Sequence, residues 1–138
     1  MLPARNRLRL PADFSTTLRS GVRVGRRNLV LSAHLSDPAR PSRMGFIVSK
    51  AVGNAVARNL VKRRLREIGA RLFEEEPAGF DVVVRALPAA AEAEWEELVA
   101  ETEQAFAVAR RRLASRSSER RPSSTAGETI RRSGEASA

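Results

Sequence analysis

The sequence predicts an α+β fold: a small sandwich of a mixed sheet of about four strands with helices, in the order α-β-β-β-α-β-α. Three observations lead there. Val- and Leu-rich runs of strand length recur at residues 22–35, 44–50 and 80–87. Two longer stretches, one after Asn54 and one over residues 90–114, repeat apolar side chains at helical spacing. Pro and Gly punctuate the chain between these runs.

In chain order, residues 1–10 form a basic arm carrying Arg5, Arg7 and Arg9. Pro11 suits a helix start, Asp13 meets the positive end of the helix dipole, and Gly21 is a natural stop. Phe14 and Leu18 share one face of that helix, with Thr17 beside them. VRVGRRNLVLSAHL (22–35) reads as extended chain interrupted at Gly25, either two short strands or one with a bulge. SDPARPSR (36–43) is a turn-rich loop, and MGFIVSK (44–50) is a further strand that leads through Gly53–Asn54 into a basic helix. That helix ends near EEEPAG (74–79), and FDVVVRAL (80–87) is a buried-type strand closed by Pro88. In the last helix Trp95, Leu98, Val99, Phe106, Ala109 and Leu113 form a core-facing stripe. Its acidic first half and its Arg110–Arg111–Arg112 end both suit the macrodipole. The domain is therefore read as residues 1–114, and the chain from Ser115 to 138, almost free of large apolar side chains, as a disordered tail.

A chain of 138 residues fits one domain with a modest core. With no Cys there is neither a disulfide framework nor a thiolate zinc site. The absence of an apolar run of about 18 residues and of an apolar signal region leads to the expectation of a cytoplasmic protein away from membranes. Charge is lopsided: residues 1–71 carry +13, while residues 72–114 carry −6. A field of that strength favours a polyanionic partner. Of 25 basic residues, only Lys50 and Lys62 are Lys.

At about 100° per residue, Arg58, Asn59, Lys62, Arg63 and Arg66 fall on one arc of the basic helix, and Val61, Leu65, Ile68 and Leu72 on another. Folding and charge thus use different sides. Like charges one turn apart repel by about 0.2–0.5 kcal/mol per pair, with Glu67 the one acid to soften this. Arg forks suit bidentate phosphate contact, and Asn59 can donate to and accept from a base edge, a 2′-hydroxyl or a backbone turn.

The pattern Lys50–x–x–Gly53–Asn54–Ala55–Val56–x–Arg58–Asn59–x–x–Lys62–Arg63–x–x–Arg66–Glu67 resembles the Arg–Asn–Arg-type motif of the bacterial ribonuclease P protein family. "ADF" before Gly21, "GFIVSK" before the motif and the later Val-Val-Val strand resemble that family too, over residues 5–113. The resemblance implies a subunit that binds the catalytic ribonuclease P RNA and assists removal of the 5′ leader from precursor tRNA. It implies RNA contacts by Lys50, Asn54, Arg58, Asn59, Lys62, Arg63 and Arg66. It also implies a leader cleft containing Phe14, Leu18, Val30 and Ser32, with Leu18 and Ser32 where relatives often carry aromatic rings. Further, it implies a left-handed strand–helix–strand crossover, against the right-handed preference of about 98% of such units. The active site would belong to the RNA and its magnesium ions, with no cofactor held by the protein alone and no obligate protein partner.

The remaining residues offer no chemistry of their own. His34, the sole histidine, reads as a strand residue, and consecutive Glu74, Glu75 and Glu76 read as a solvated helix end. No nucleophile–base pair or Gly-rich phosphate loop is visible, so catalytic and metal-ligating residues are both expected to be none. A generic basic module of the ribosome or nucleoid is the alternative. Gly53, Asn54 and Asn59 separate the two, because bare phosphate binding needs neither asparagine.

Overall fold

The computed structural model describes residues 2–120. Its elements are α1 (Pro11–Ser20), β1 (Val22–Gly25), β2 (Leu29–Leu35), β3 (Arg43–Ile47), α2 (Ala55–Glu75), β4 (Phe80–Ala86) and α3 (Trp95–Arg120). The sheet order is β1-β2-β4-β3, antiparallel except for the β3/β4 pair, which is parallel and joined through α2. The sheet is thus mixed and four-stranded. β1 and β2 are separate strands of a hairpin, closed where Arg26 N–H donates to the Leu29 carbonyl at 2.8 Å.

Strand alternation divides the sheet into two faces. Val22, Val24, Leu29, Leu31, Ala33, Met44, Val82 and Val84 point into one core with Val61, Leu65 and Ile68 of α2 and Leu98, Phe106 and Leu113 of α3. Apart from the small Ala33, each such side chain contributes about 1.5–3 kcal/mol by leaving water. Phe80 and Phe106 meet edge to face at 5.4 Å, fixing α3 against β4. The opposite face carries Arg23, Val30, Ser32, Gly45, Val83 and Arg85 in register, and α1 packs there on β2 and β4.

One ion-pair cluster pins α1 to that face. Arg43 donates from Nε and Nη2 to the two carboxylate oxygens of Asp81, at 3.0 and 2.8 Å, and from Nη1 to Asp13 at 3.3 Å. Its guanidinium is held above the ordinary arginine value, chiefly by the Asp81 hydrogen bond and against the opposing effect of burial. Asp13, read from sequence only as a dipole partner, thus also ties helix to sheet.

Several boundaries differ from the sequence reading. β3 stops at Ile47, and Lys50–Val52 is a short 3-10 turn. Pro88–Glu92 forms another such turn, so α3 starts at Trp95 rather than near residue 90. α3 also continues past residue 114 to Arg120. Leu113 is buried, and Arg116 Nη1 donates to the Ser20 carbonyl at 2.7 Å, which anchors this extra length. The expected disordered tail therefore does not begin at Ser115, and residues 121–138 lie outside those described. The basic arm is docked. Leu2 and Leu8 are buried, Leu8 N–H donates to the Met44 carbonyl at 3.0 Å, and Asn6 Nδ2 donates to the Ser42 carbonyl at 2.7 Å. This covers the outer edge of β3.

Candidate RNA interface

The basic helix is launched by a turn that only Gly serves well. Gly53 has φ +155°, and Asn54 then caps α2 by accepting from Ala57 N–H on its Oδ1 at 2.9 Å. Asn54, expected at the RNA, has its acceptor engaged inside the protein. Arg58 is likewise half tethered, since its Nε donates to the Gly53 carbonyl at 3.1 Å. That bond ties the half-buried Arg58 side chain to the turn through Nε and does not use its Nη groups. Lys50 stands exposed just before it.

One turn further on, Asn59, Lys62, Arg63, Arg66 and Glu67 line a groove of about 360 Å³ on the outer side of α2. Four predicted RNA contacts meet there. The neighbouring cations face elsewhere: Arg64 Nη1 donates to the Ala93 carbonyl at 3.1 Å, and the Arg71 guanidinium lies 5.4 Å from the Trp95 ring centre. Adjacent Arg63 and Arg64 therefore point to different sides of α2, as their positions on the helix wheel require.

Lys62 and Arg66 also reach a second recess, shared with Arg7, Arg9, Phe14, Gly45 and Phe46. It lies between the docked arm, α1 and the β3 edge. Arg7 and Arg9 thus join this recess, while Arg5 is exposed on the arm's 3-10 turn. A third recess of about 150 Å³, on the α1 side of the sheet, is lined by Leu18, Arg23, Val30, Ser32, Val83 and Arg85. The four residues expected in one cleft thus divide, with Phe14 in one recess and Leu18, Val30 and Ser32 in the other. Ser32 is only 3% exposed, on the cleft floor. Leu18 is 42% exposed; Thr17, not Leu18, is the residue of α1 that the sheet buries.

Sequence reasoning missed Arg23 and Arg85. Alternation in "VRVG" and "VVVRA" was the available signal, since an Arg between apolar strand residues must point to the face that they leave.

A basic helix beside a cation-lined sheet cleft makes this an RNA-binding α+β sandwich. The profile of the family described as Ribonuclease P matches residues 2–110. The chain is 61% identical over 114 residues to the ribonuclease P protein component of Kocuria rhizophila, covering 83% of this chain and 100% of that one. It is 59% identical to that of Arthrobacter sp. over 116 residues, covering 84% and 85%. Among solved structures it resembles the Staphylococcus aureus RNase P protein, with a TM-score of 0.67, 28% identity, and 75% and 94% of the two chains covered. The chain belongs to the ribonuclease P protein family, the protein components of a ribonucleoprotein endoribonuclease of tRNA 5′ processing.

Proposed function

We propose that the outer face of α2 binds the catalytic RNA while the cleft under α1 holds the 5′ leader of precursor tRNA. The observation that carries this reading is the shared lining: Lys62 and Arg66 border both the α2 groove and the Phe14 recess. One pair of cations can thus sit between two RNA segments and draw the phosphates of both together. Phe14 offers a ring for stacking, worth about 1–3 kcal/mol per base in single-strand binders. Arg63 and Asn59, both exposed, address the RNA subunit with a bidentate fork and an amide.

The polypeptide positions and neutralises, while bond cleavage belongs to the RNA. Magnesium enters as part of that RNA. The groove's single carboxylate, Glu67, stands among Lys62, Arg63 and Arg66, a setting that repels a divalent cation. The protein acts where precursor tRNA is made, in the cytoplasm.

Reconstitution with ribonuclease P RNA tests this. The wild type is expected to lower the magnesium needed for leader removal and to favour precursor over mature tRNA. Lys62→Ala with Arg66→Ala should weaken both RNA-subunit affinity and that preference. A double variant that loses one and keeps the other would separate the two surfaces and overturn the shared-border reading.

A further inference from the structure

Beyond the motif helix, a second cluster of arginines gathers at the opposite edge of the sheet. Arg112 Nη1 donates to the Arg23 carbonyl at 3.3 Å, and Arg116 Nη1 donates to the Ser20 carbonyl at 2.7 Å. Both bonds cross the outer edge of β1, bringing the end of α3 to the corner where α1 turns into the sheet. Acids are few around it: Glu101 of α3 reaches the β1–β2 turn, where Asn28 donates to it from its backbone N–H and its Nδ2. Residues 14–36 hold Arg19, Arg23, Arg26 and Arg27 with no Asp or Glu, and residues 104–118 hold Arg110, Arg111, Arg112 and Arg116 with none. Among the described residues, only Arg110 of these eight forms a salt bridge, with Glu76. Arg19, Arg23 and Arg112 are exposed. A merely solubilising surface would mix signs, whereas like charges gathered this way repel until a polyanion arrives.

Arg23 also lines the Leu18–Ser32 recess, so the cluster continues the cleft. Phe14 and Leu18 lie one helical turn apart, and their two recesses follow one another along α1. A strand entering beside Lys62 and Arg66 and passing Phe14, then Leu18, emerges at Arg23 over the β1 edge. We propose that Arg23, Arg112 and Arg116, with Arg19 beside them, form an exit clamp on the phosphates of the single-stranded leader as it leaves the cleft. The proposal rests on the reading of the cleft as the leader site. Each anchored guanidinium uses one of its five donors on a backbone carbonyl, which fixes the fork and leaves the others for phosphate oxygens.

The holoenzyme tests it with two precursor tRNAs, one leader of about 3 nucleotides and one of about 15, which bracket the 4–16-nucleotide footprint of single-strand grooves. In Arg112→Gln with Arg116→Gln, affinity for the long-leader precursor should fall about fivefold and the salt slope should shrink by about 1.4, or 0.7 for each phosphate lost. Affinity for the short-leader precursor and for mature tRNA should stay as in the wild type. Arg19→Gln, which touches neither carbonyl bond, should give a smaller loss in the same direction, so unfolding of the corner cannot mimic the result. If the double variant binds both precursors as the wild type does, there is no clamp. Equal losses on both leaders and mature tRNA would assign the cluster to the RNA subunit and overturn the proposal. Should the wild type itself fail to prefer precursor over mature tRNA, the leader is not in the cleft, and that reading falls first.

Discussion

The ring of Phe14 rests directly on Gly45. A Cβ added to Gly45 would stand 2.3 Å from Phe14 Cζ, inside any allowed contact. Gly45 lies opposite Val83 in the parallel β3/β4 pair, on the face that α1 covers. The missing side chain is what lets the tip of an aromatic ring from α1 come down onto the sheet backbone at the cleft mouth. Gly45→Ala should therefore lift Phe14 off its seat, with an overpacking cost of about 1–3 kcal/mol. Thermal melting should fall, and preference for precursor over mature tRNA should drop with it. Phe14→Ala should lose a similar preference with less change in melting, because the ring is only half-buried. If Gly45→Ala melts lower but keeps full preference, Phe14 is not a leader contact.

Asn54 tests how far a motif position can be structural. Its Oδ1 caps α2, so Asn54→Ala should cost about 1 kcal/mol of stability and leave the salt slope of RNA binding unchanged. Asn54→Ser should restore most of the stability. A fall in RNA affinity that persists in the Ser variant, at unchanged melting temperature, would return Asn54 to the interface.

Arg63 and Arg64 are neighbours with separable effects. Arg63→Ala should leave melting unchanged and reduce the salt slope for the RNA subunit by about 0.9, one phosphate contact. Arg64→Ala removes the bond to the Ala93 carbonyl and should cost about 1 kcal/mol of stability with the slope intact. Swapped outcomes would mean that α2 is turned about its axis relative to the arrangement described.

The layout was legible in the sequence where periodicity carried it. The order of elements, the split of the basic helix into an apolar and a cationic side, and the Gly53–Asn54 turn all follow from spacing. What spacing could not give was partnership. Asp81 and Arg43 lie 38 positions apart, and only the register of β3 against β4 sets them side by side. The docking of the arm was equally hidden, because Leu2 and Leu8 show no strand pattern and are held by the β3 edge. Helix α3 passes Ser115 because Arg116 finds the Ser20 carbonyl, a contact formed only after the chain has folded.

The Arg43–Asp81 pair is expected to matter for folding rather than for RNA. Arg43 is largely buried, so Arg43→Ala leaves Asp81 as an unpaired buried carboxylate and should destabilise by about 3 kcal/mol. The sign with pH follows from the raised guanidinium value. The contribution is fully present below the unfolded arginine value and is lost only as pH rises through the still higher folded one. From the guanidinium side, then, wild-type stability should stay flat from neutral to moderately alkaline pH. A variant melting within a degree of the wild type would show that solvent already screens the pair.

Ser32 sits where a ring could be restored. It alternates with Leu31 and Ala33, which enter the main core, and so points to the cleft, opposite Val83 and below Leu18. The recess it lines, about 150 Å³, also takes in the exposed Arg23 and Arg85. Ser32→Tyr should send its ring into that space and tighten precursor binding by up to about 1 kcal/mol, the low end of the stacking range. Mature tRNA has no leader and should bind as before. Burial sets the competing cost: at 3% exposure Ser32 has little room at its Cβ, and a ring that cannot reach the recess would overpack by about 1–3 kcal/mol. Melting and the precursor-to-mature ratio, measured on one variant, separate the two. A gain in the ratio at unchanged melting puts the leader against Ser32, whereas lower melting with no gain means that the ring is caught in the packing at Ser32, and the assignment of this side chain to the leader cleft falls.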